Sequence, residues 1–494
     1  MDSEKQQRDY TNRKSTFVQI VLGLIVNFSS LSPSMSLGFS AVALPYLLDT
    51  SNPHHLTEGE ASWFASVTSI AAPFGCFLSG PISDKFGRKS AIICINVFCF
   101  LGWIFITIAY YIQDYQYLLL LIGRFLTGFS AGLSSMPAAV YMAEISTSKL
   151  RGMFITWNAL CFSLGVVIIY ILGWIMTNNW GMIAISSTVF PCACMVMVMV
   201  YVVESPSWLI ANNRLEEAKA SICKLYDAKE HTLEMHEEYE TLINSTNTTK
   251  TGRNQFQWRF LLEPVCYRPF ILMSTFFLFQ QLSGTFVIVF YAIDIVNEVK
   301  ITIDPYCAIV LIATTRTVAS GIVSMMSKRI GRRPLSLASG IGMTICMVVL
   351  AVYTICIKKR IIMDDQFDWL PLTFLMAYYF TATLGFLTMP FAMSAEVFPS
   401  KVRGLATGMV TSIGYICSFV MVKLYPDMLH YKLGIFPLFL FYAAMSAAGT
   451  VFVALRLPET KGKTLSEIEE NFNVNNNKKA ITIELESVSL NKTL

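Results

Sequence analysis

Apolar residues in this chain come in runs too long and too uniform for the one-sided stripe of a soluble helix. Such runs lie near 17–40, 62–81, 90–111, 116–138, 153–174, 181–203, 269–293, 305–327, 335–357, 370–395, 405–424 and 436–456. Crossing a bilayer takes about 20 residues as a helix, so the pattern predicts twelve membrane spans. Lipid offers no partner to backbone polar groups, which makes the spans helices and the expected fold class an all-α membrane protein. Polar positions fill the short connections and one long stretch, 204–268, which divides the spans into two sets of six. The expected order is an N-terminal segment (1–16), a six-helix bundle (17–203), a linker (204–268), a second bundle (269–456) and a tail (457–494). Within the linker, Arg214 to Leu225 has a helical pattern, whereas the Asn-, Ser- and Thr-rich stretch 244–254 reads as loop. The tail, with Asn475-Asn476-Asn477, reads as flexible. The run after the polar first 16 residues lacks a cleavage pattern and reads as a span rather than a signal peptide.

The polar residues at the ends of these runs repeat. Asp84-Lys85-Phe86-Gly87-Arg88-Lys89 is echoed by Lys328-Arg329-Ile330-Gly331-Arg332-Arg333, and Glu144 with Arg151-Gly152 by Glu396 with Arg403-Gly404. Glu204-Ser205-Pro206 after the sixth run matches Pro458-Glu459-Thr460 after the twelfth. The offsets drift from 244 to 252 to 255 residues, as expected of a duplicated six-helix unit with unequal loops. Many carriers are built from such repeats.

Composition agrees: 54% hydrophobic and 14% charged, against about 25% charged in ordinary globular chains. Lys and Arg collect before span 1 (Lys5, Arg8, Arg13, Lys14) and after spans 2, 4 and 8, which predicts that these loops and both termini face the cytoplasm. Lys358, Lys359 and Arg360 run against that bias. The net charge of +4 follows from it, and nucleic acid is not an expected partner. Most of the twelve cysteines lie within apolar runs, without metal or CxxC spacing, and are expected to pack as small hydrophobes. No metal or cofactor is expected.

Acids and bases alternate at the duplicated positions, whereas orientation alone needs only bases. Asp84, Arg88, Glu144, Arg151, Glu204, Arg332, Arg333, Glu396, Arg403 and Glu459 are therefore expected to form a cytoplasmic charge latch. Sheltered charge-assisted bonds contribute about 1.5–3 kcal/mol each, and breaking them as that face opens provides a two-state element. Arg124, in Gly123-Arg124-Phe125-Leu126-Thr127-Gly128, is expected to reach the same inner charges. Gly123, Gly128 and Gly132 are expected to permit close helix contact.

These phrases, together with Tyr141, Gln280-Gln281-Leu282-Ser283-Gly284 and Pro458 to Gly462, resemble the sugar porter family of the major facilitator superfamily over nearly the whole chain. The wording Gly38-Phe39-Ser40-Ala41-Val42-Ala43-Leu44-Pro45 looks most like the insect trehalose-transporter-like branch. The resemblance implies a monomeric carrier of two pseudo-symmetric six-helix bundles with a central sugar site, in the plasma membrane. It places Gln280 and Gln281 at the sugar, Phe290 and Tyr291 at an aromatic gate, and Phe391 at a position that covers an apolar sugar face. It also shows departures. Thr285-Phe286 replaces the Ile-Asn that follows the Gln-Gln phrase in hexose carriers, Ala159 beside Asn158 stands at the span-5 glutamine, and Gly414 at the span-11 asparagine; Asn158, Thr285 and Phe286 are expected among the sugar contacts. Lys328 stands where an acid is usual, which implies a weaker second copy of the latch.

Arg316, in the middle of span 8, stands at another family asparagine. A charge at that depth costs at least about 2.5–3.5 kcal/mol on insertion scales and marks a functional candidate, with a structural pair to Asp294 as the other reading. Proton-driven members resemble one another in an aspartate after Gly-Tyr or Gly-Phe in span 1, but here Ser40 follows Gly38-Phe39 and span 1 holds no acid. Facilitated diffusion is therefore expected.

Three functions stay open: a uniporter of trehalose or a hexose, a non-transporting sugar sensor, and a carrier of an anionic or non-sugar solute through Arg316. An enzyme is not expected, because His54, His55, His231, His236 and His430 lie in loops without nucleophile or metal spacing. Asn244-Ser245-Thr246 and Asn247-Thr248-Thr249 match the glycosylation pattern but fall on the expected cytoplasmic side. Glycosidase treatment of the protein from its native membrane should leave its gel mobility unchanged; a shift that disappears in Asn244→Gln/Asn247→Gln would reverse the orientation.

Overall fold

The computed structural model describes residues 16–146, 148–177, 179–226, 263–326, 330–359, 368–399, 402–429 and 434–461, with 467, 470 and 472. Asn244, Asn247, Lys328, Arg360 and Asn475 to Asn477 lie outside these residues, as do the side chains of Lys149 and Arg151. Among the described residues every regular element is helical, and eleven helices are long and apolar enough to cross a membrane. Spans 2 and 3 are Glu58–Phe86 and Arg88–Tyr111, and spans 5 and 6 are Ser148–Ile175 and Trp180–Tyr201. Spans 8 and 9 are Pro305–Met326 and Arg332–Lys358, and spans 11 and 12 are Arg403–Pro426 and Ile435–Arg456.

The remaining four spans are interrupted, and they are the first of each successive group of three. Span 1 runs Thr16–Leu47 with a turn at Ser29 and Ser30. Span 4 is split into Gln116–Leu133 and Pro137–Ile145, and span 10 into Trp369–Leu384 and Met389–Val397. Span 7 is cut twice, into Pro264–Leu282, Val287–Phe290 and Ala292–Glu298, which is why a search for long continuous helices finds eleven rather than twelve.

Proline accounts for three of the breaks, since it cannot donate to the carbonyl four residues back. Pro33, Pro137 and Pro390 each follow a break by a few residues. In span 7 the chain turns at Gly284, whose φ of +86° suits a residue without a side chain. Freed backbone groups find partners inside the bundle, as they must in lipid. Ser79 Oγ donates to Leu133 O (3.0 Å), Ser283 and Thr285 hydroxyls donate to Gln280 O (2.7 and 2.9 Å), and Phe386 N donates to Ser339 Oγ (3.0 Å).

Small residues set the packing. A Cβ on Gly128 or Gly132 would collide with the span 2 backbone at Thr68 and Ala72, and one on Gly123 with Gly102 of span 3, so the expected close contacts of span 4 are present. The halves meet where span 2 lies on span 11 and span 5 on span 8. Hydroxyls stitch these seams: Ser62 Oγ donates to Lys423 O (2.9 Å), Ser69 meets Ser418 (3.3 Å) and Ser163 meets Ser320 (3.0 Å).

The duplicated charges build the same brace twice. Glu204, just past span 6, accepts from the backbone N–H of Arg88 (2.8 Å) and Lys89 (3.2 Å) at the start of span 3. Glu459, just past span 12, does the same for Arg332 (2.9 Å) and Arg333 (3.1 Å) at the start of span 9. A carboxylate is favoured at a helix N-terminus, where unpaired N–H groups point outward. Burial opposes the charge on Glu459, but the N–H groups of Lys461, Arg332 and Arg333 and the Arg332 charge outweigh it and hold the carboxyl below its usual range. The cap is therefore charged at neutral pH and is lost only as pH falls through that lowered value. Gly87 and Gly331 are small because a Cβ on either would overlap the carboxylate. The capped arginines then reach sideways: Arg88 pairs with Glu144 (2.8 Å) and Asp84 (3.1 Å), and Arg332 with Glu396 (2.9 Å), which also accepts from Thr460 Oγ1 (2.7 Å). Arg88 and Glu144 have side chains 9% and 20% exposed against 24% and 31% for Arg332 and Glu396, so the first copy is better sheltered from water.

Each of these pairs joins spans of one half, a correction to the expected latch between halves. The carboxylate that closes a half also caps a helix of that half. Arg333 completes its brace through Ala454 O, and Arg403 Nε donates to Phe398 O (3.2 Å), again within one half. In the linker, Pro206–Ala211 and Leu215–Tyr226 pack through Trp208, Leu209, Ile210, Ala218 and Ile222, and Trp208 Nε1 donates to Asp84 O (2.8 Å).

Gly87→Ala should destabilise the protein by about 1–3 kcal/mol from backbone strain alone, because φ of +99° with ψ of 164° is a glycine conformation. Gly59→Ala, where the new methyl meets nothing within 4 Å, should not. Thermal unfolding of both variants in detergent checks the contrast.

Candidate functional site

Span 7 carries the Gln-Gln phrase on the last turn before its first break, so the break decides where both carboxamides sit. Gln280 and Gln281 are 0% and 3% exposed. Gln280 Nε2 donates to Leu387 O in the span 10 break (3.2 Å), while the side-chain oxygens of both glutamines are buried without a donor. Tyr378 and Tyr379 of span 10 hold the break from the other side, donating to Ser283 O (2.7 Å) and Thr285 O (2.9 Å).

Several expected contact residues have other partners. Thr285 is 1% exposed and its hydroxyl donates to Gln280 O, so it shapes the break instead of presenting a donor. Phe286 is buried in the core. Asn158 is half-buried and makes no hydrogen bond among the described residues. Phe391 is 36% exposed and rests edge-on against Phe277, with ring centroids 4.9 Å apart. Gly414 makes room for that same Phe277, since a Cβ there would lie 2.7 Å from its ring. An aromatic pair thus occupies the place where the resemblance implies an amide.

At the face opposite the charge braces, the path to the glutamines is shut. Tyr291 stacks on Tyr425 (4.4 Å between centroids, 27° between planes), and Tyr425 OH donates to Asp294 (2.8 Å). Phe290 below is fully buried. A cavity of about 440 Å³ lies outside this floor, lined by Leu44, His55, Glu58, Tyr291, Asp294 and Asn297 among others, so it is a vestibule and does not border the glutamine pair. Tyr170 OH of span 5 donates across the halves to Val289 O (2.7 Å), pinning the closed segment of span 7.

Two arginines lie inside the bundle. Arg124 is 0% exposed and was expected among the inner charges; instead it lies between spans 1 and 2. The span runs from the opposite face toward the braces, so a residue near its start is remote from them. Its guanidinium donates to Phe64 O (3.2 Å), Ser36 Oγ (3.1 Å) and Ala65 O (3.4 Å), and also to Ser36 O and Ser40 Oγ, with the Phe64 ring 5.0 Å away. The signal available for this cradle was Ser32, Ser36 and Ser40 at helical spacing on one face of span 1. Arg316 is 5% exposed, its Cζ 5.7 Å from the Phe162 ring centroid. The expected pair with Asp294 is absent: Asp294 accepts from Tyr425.

A family model described as "Sugar (and other) transporter" matches residues 16–472. The chain belongs to that family. It is 26% identical over 457 residues to a facilitated trehalose transporter Tret1 of Culex quinquefasciatus, covering 92% of this chain and 86% of that protein. It is 28% identical to a Tret1-2 homolog of Drosophila simulans, covering 92% and 91%. A Tret1 of Drosophila willistoni is 29% identical over 94% of this chain, which spans about half (52%) of that relative's length. Among solved structures, the proton:xylose symporter XylE bound to 6-bromo-6-deoxy-D-glucose superposes with a TM-score of 0.74 at 19% identity, over 93% of this chain and 100% of that one. An inward open XylE from E. coli also gives 0.74 at 19% identity, over 92% and 99%. The fold of the carrier is thus the major facilitator fold, with twelve spans in two six-helix bundles, one of them broken in a way that length alone does not reveal.

Tyr170→Phe should loosen the closed face of the carrier by removing a bond between halves that contributes about 0.5–1.5 kcal/mol. A cysteine placed at Gln281, behind the Tyr291 floor, should then react roughly 2- to 10-fold faster with a membrane-impermeant thiol reagent than in the unaltered background.

Proposed function

We propose that this protein is a facilitative sugar uniporter of the plasma membrane, with trehalose or a hexose as cargo. It works as a monomer by alternating access, with both termini and the charge braces on the cytoplasmic side. The braces keep each half rigid while the halves rock about the seams of spans 2 and 11 and spans 5 and 8. The broken segment of span 7, with Tyr291 and Tyr425, opens and closes the opposite face, and Gln280 and Gln281 meet the sugar hydroxyls.

The observation that carries the uniport reading is the cradle of Arg124. Every hydrogen-bond acceptor around this buried cation is neutral: two backbone carbonyls of span 2, one of span 1, and the hydroxyls of Ser36 and Ser40. Coupling to protons needs a group whose charge changes as a proton loads, and a serine hydroxyl does not titrate near neutral pH. With neutral partners the arginine stays fixed in charge and bonding, and cargo crosses down its own gradient. Relatives named facilitated trehalose transporters support this reading.

In proteoliposomes, sugar uptake should be unchanged when a proton gradient is imposed or collapsed; uptake that collapses with the gradient would refute uniport. Ser40→His places against Arg124 a side chain whose charge changes between pH 5 and pH 8 and should make uptake depend on pH where the parent protein does not, measured as initial rates across that range.

A further inference from the structure

The two intramembrane arginines differ in one respect. Arg124 has a full set of acceptors, whereas no hydrogen bond leaves the guanidinium of Arg316 among the described residues, and its Nε is buried without a partner. Span 8 is Pro305–Met326, so Arg316 sits at its middle, where an uncompensated charge is most costly. The Phe162 ring face offers the cation partial relief. Tyr170 and Tyr379 lie within electrostatic range, and each gives its hydrogen to a carbonyl of the broken span 7. That span also carries Gln280 and Gln281, whose side-chain oxygens are buried without donors. One cationic donor, on a span packed against span 10, and two carboxamide acceptors, beside the break that Tyr379 of span 10 holds, are therefore unpartnered among the described residues.

We propose that Arg316 reads a carboxylate, so that the preferred cargo is a sugar acid: a hexose-sized polyol bearing one negative charge, with its carboxylate on the guanidinium and its hydroxyls donating to Gln280 and Gln281. This rests on the carrier reading above and replaces its neutral cargo with a charged sugar derivative. A neutral sugar can accept from a guanidinium but leaves its charge uncompensated, whereas a carboxylate matches the planar fork with two parallel bonds. A single cation matches one carboxylate; a phosphate would bring nearly a second negative charge into the bundle without a partner. Because the carrier reading has no coupled ion, each transported sugar acid moves one negative charge.

The test uses the full-length protein in proteoliposomes, with labelled D-glucuronate and D-glucose as probes and the membrane potential clamped by potassium and valinomycin. Glucuronate uptake should be saturable, should exceed glucose uptake at equal concentration, and should quicken with an inside-positive potential. Arg316→Gln should lower the ratio of glucuronate to glucose uptake roughly ten- to a hundredfold, the value of a charge-assisted bond. Arg316→Lys, which keeps the charge but not the fork, should fall between. Glucose uptake without glucuronate uptake in the parent protein overturns this proposal alone and needs no variant. Unchanged glucuronate uptake in Arg316→Gln also overturns it, and transport of neither probe, nor of labelled trehalose run beside them, overturns the carrier reading together with it.

Discussion

Lipid cannot hydrogen-bond, and this architecture is organised around that fact. A helix satisfies its own backbone, so each interruption has to be answered by a neighbouring side chain. The answers are specific: Ser79 for the carbonyl ahead of Pro137, Ser339 for Phe386 N–H, and Tyr378 and Tyr379 for the carbonyls of the span 7 turn. The same demand explains Arg124, enclosed by three carbonyls and two serines. Breaks recur in spans 1, 4, 7 and 10, and the span 7 segments past its first break lie against span 1 across the halves, where irregular backbone can serve a solute.

Rigidity and motion are assigned to different chemistries. At the charged face, a carboxylate from the end of each half caps a helix N-terminus within it and the capped arginine clamps a second helix, tying helices of one half together. Between the halves there are serine contacts, a tyrosine to a carbonyl and the rings of Trp63 and Phe162 facing Lys423 and Arg316, single contacts of modest strength. Strong bonds within and weak bonds between are what a two-state rocking element requires.

Much of this was legible in the chain. Twelve apolar runs, the duplicated charged phrases and the glycines of span 4 predicted the helices, the repeat and the close contacts, because length, period and small size act locally. Partner choice was less legible. Glu144 and Glu396 do meet arginines, but nothing in the spacing said that Arg88 and Arg332 of their own half would be those arginines. Arg124 was assigned to the wrong end because its sequence neighbours were weighed above the direction in which span 4 runs. Thr285 is expected at the sugar, and only the break shows its hydroxyl bonded to the backbone. Phe277 drew no notice, yet it fills the space left by Gly414.

The central claim is that one site is exposed to the two faces in turn without an ion to drive it. Counterflow measures this most directly: proteoliposomes are preloaded with unlabelled trehalose, glucose or glucuronate, diluted into trace label of the same solute, and followed with no ion gradient present. The account predicts that label from at least one of them accumulates transiently above its equilibrium level before declining. A monotonic approach to equilibrium for all three, at the rate of protein-free vesicles, would contradict it.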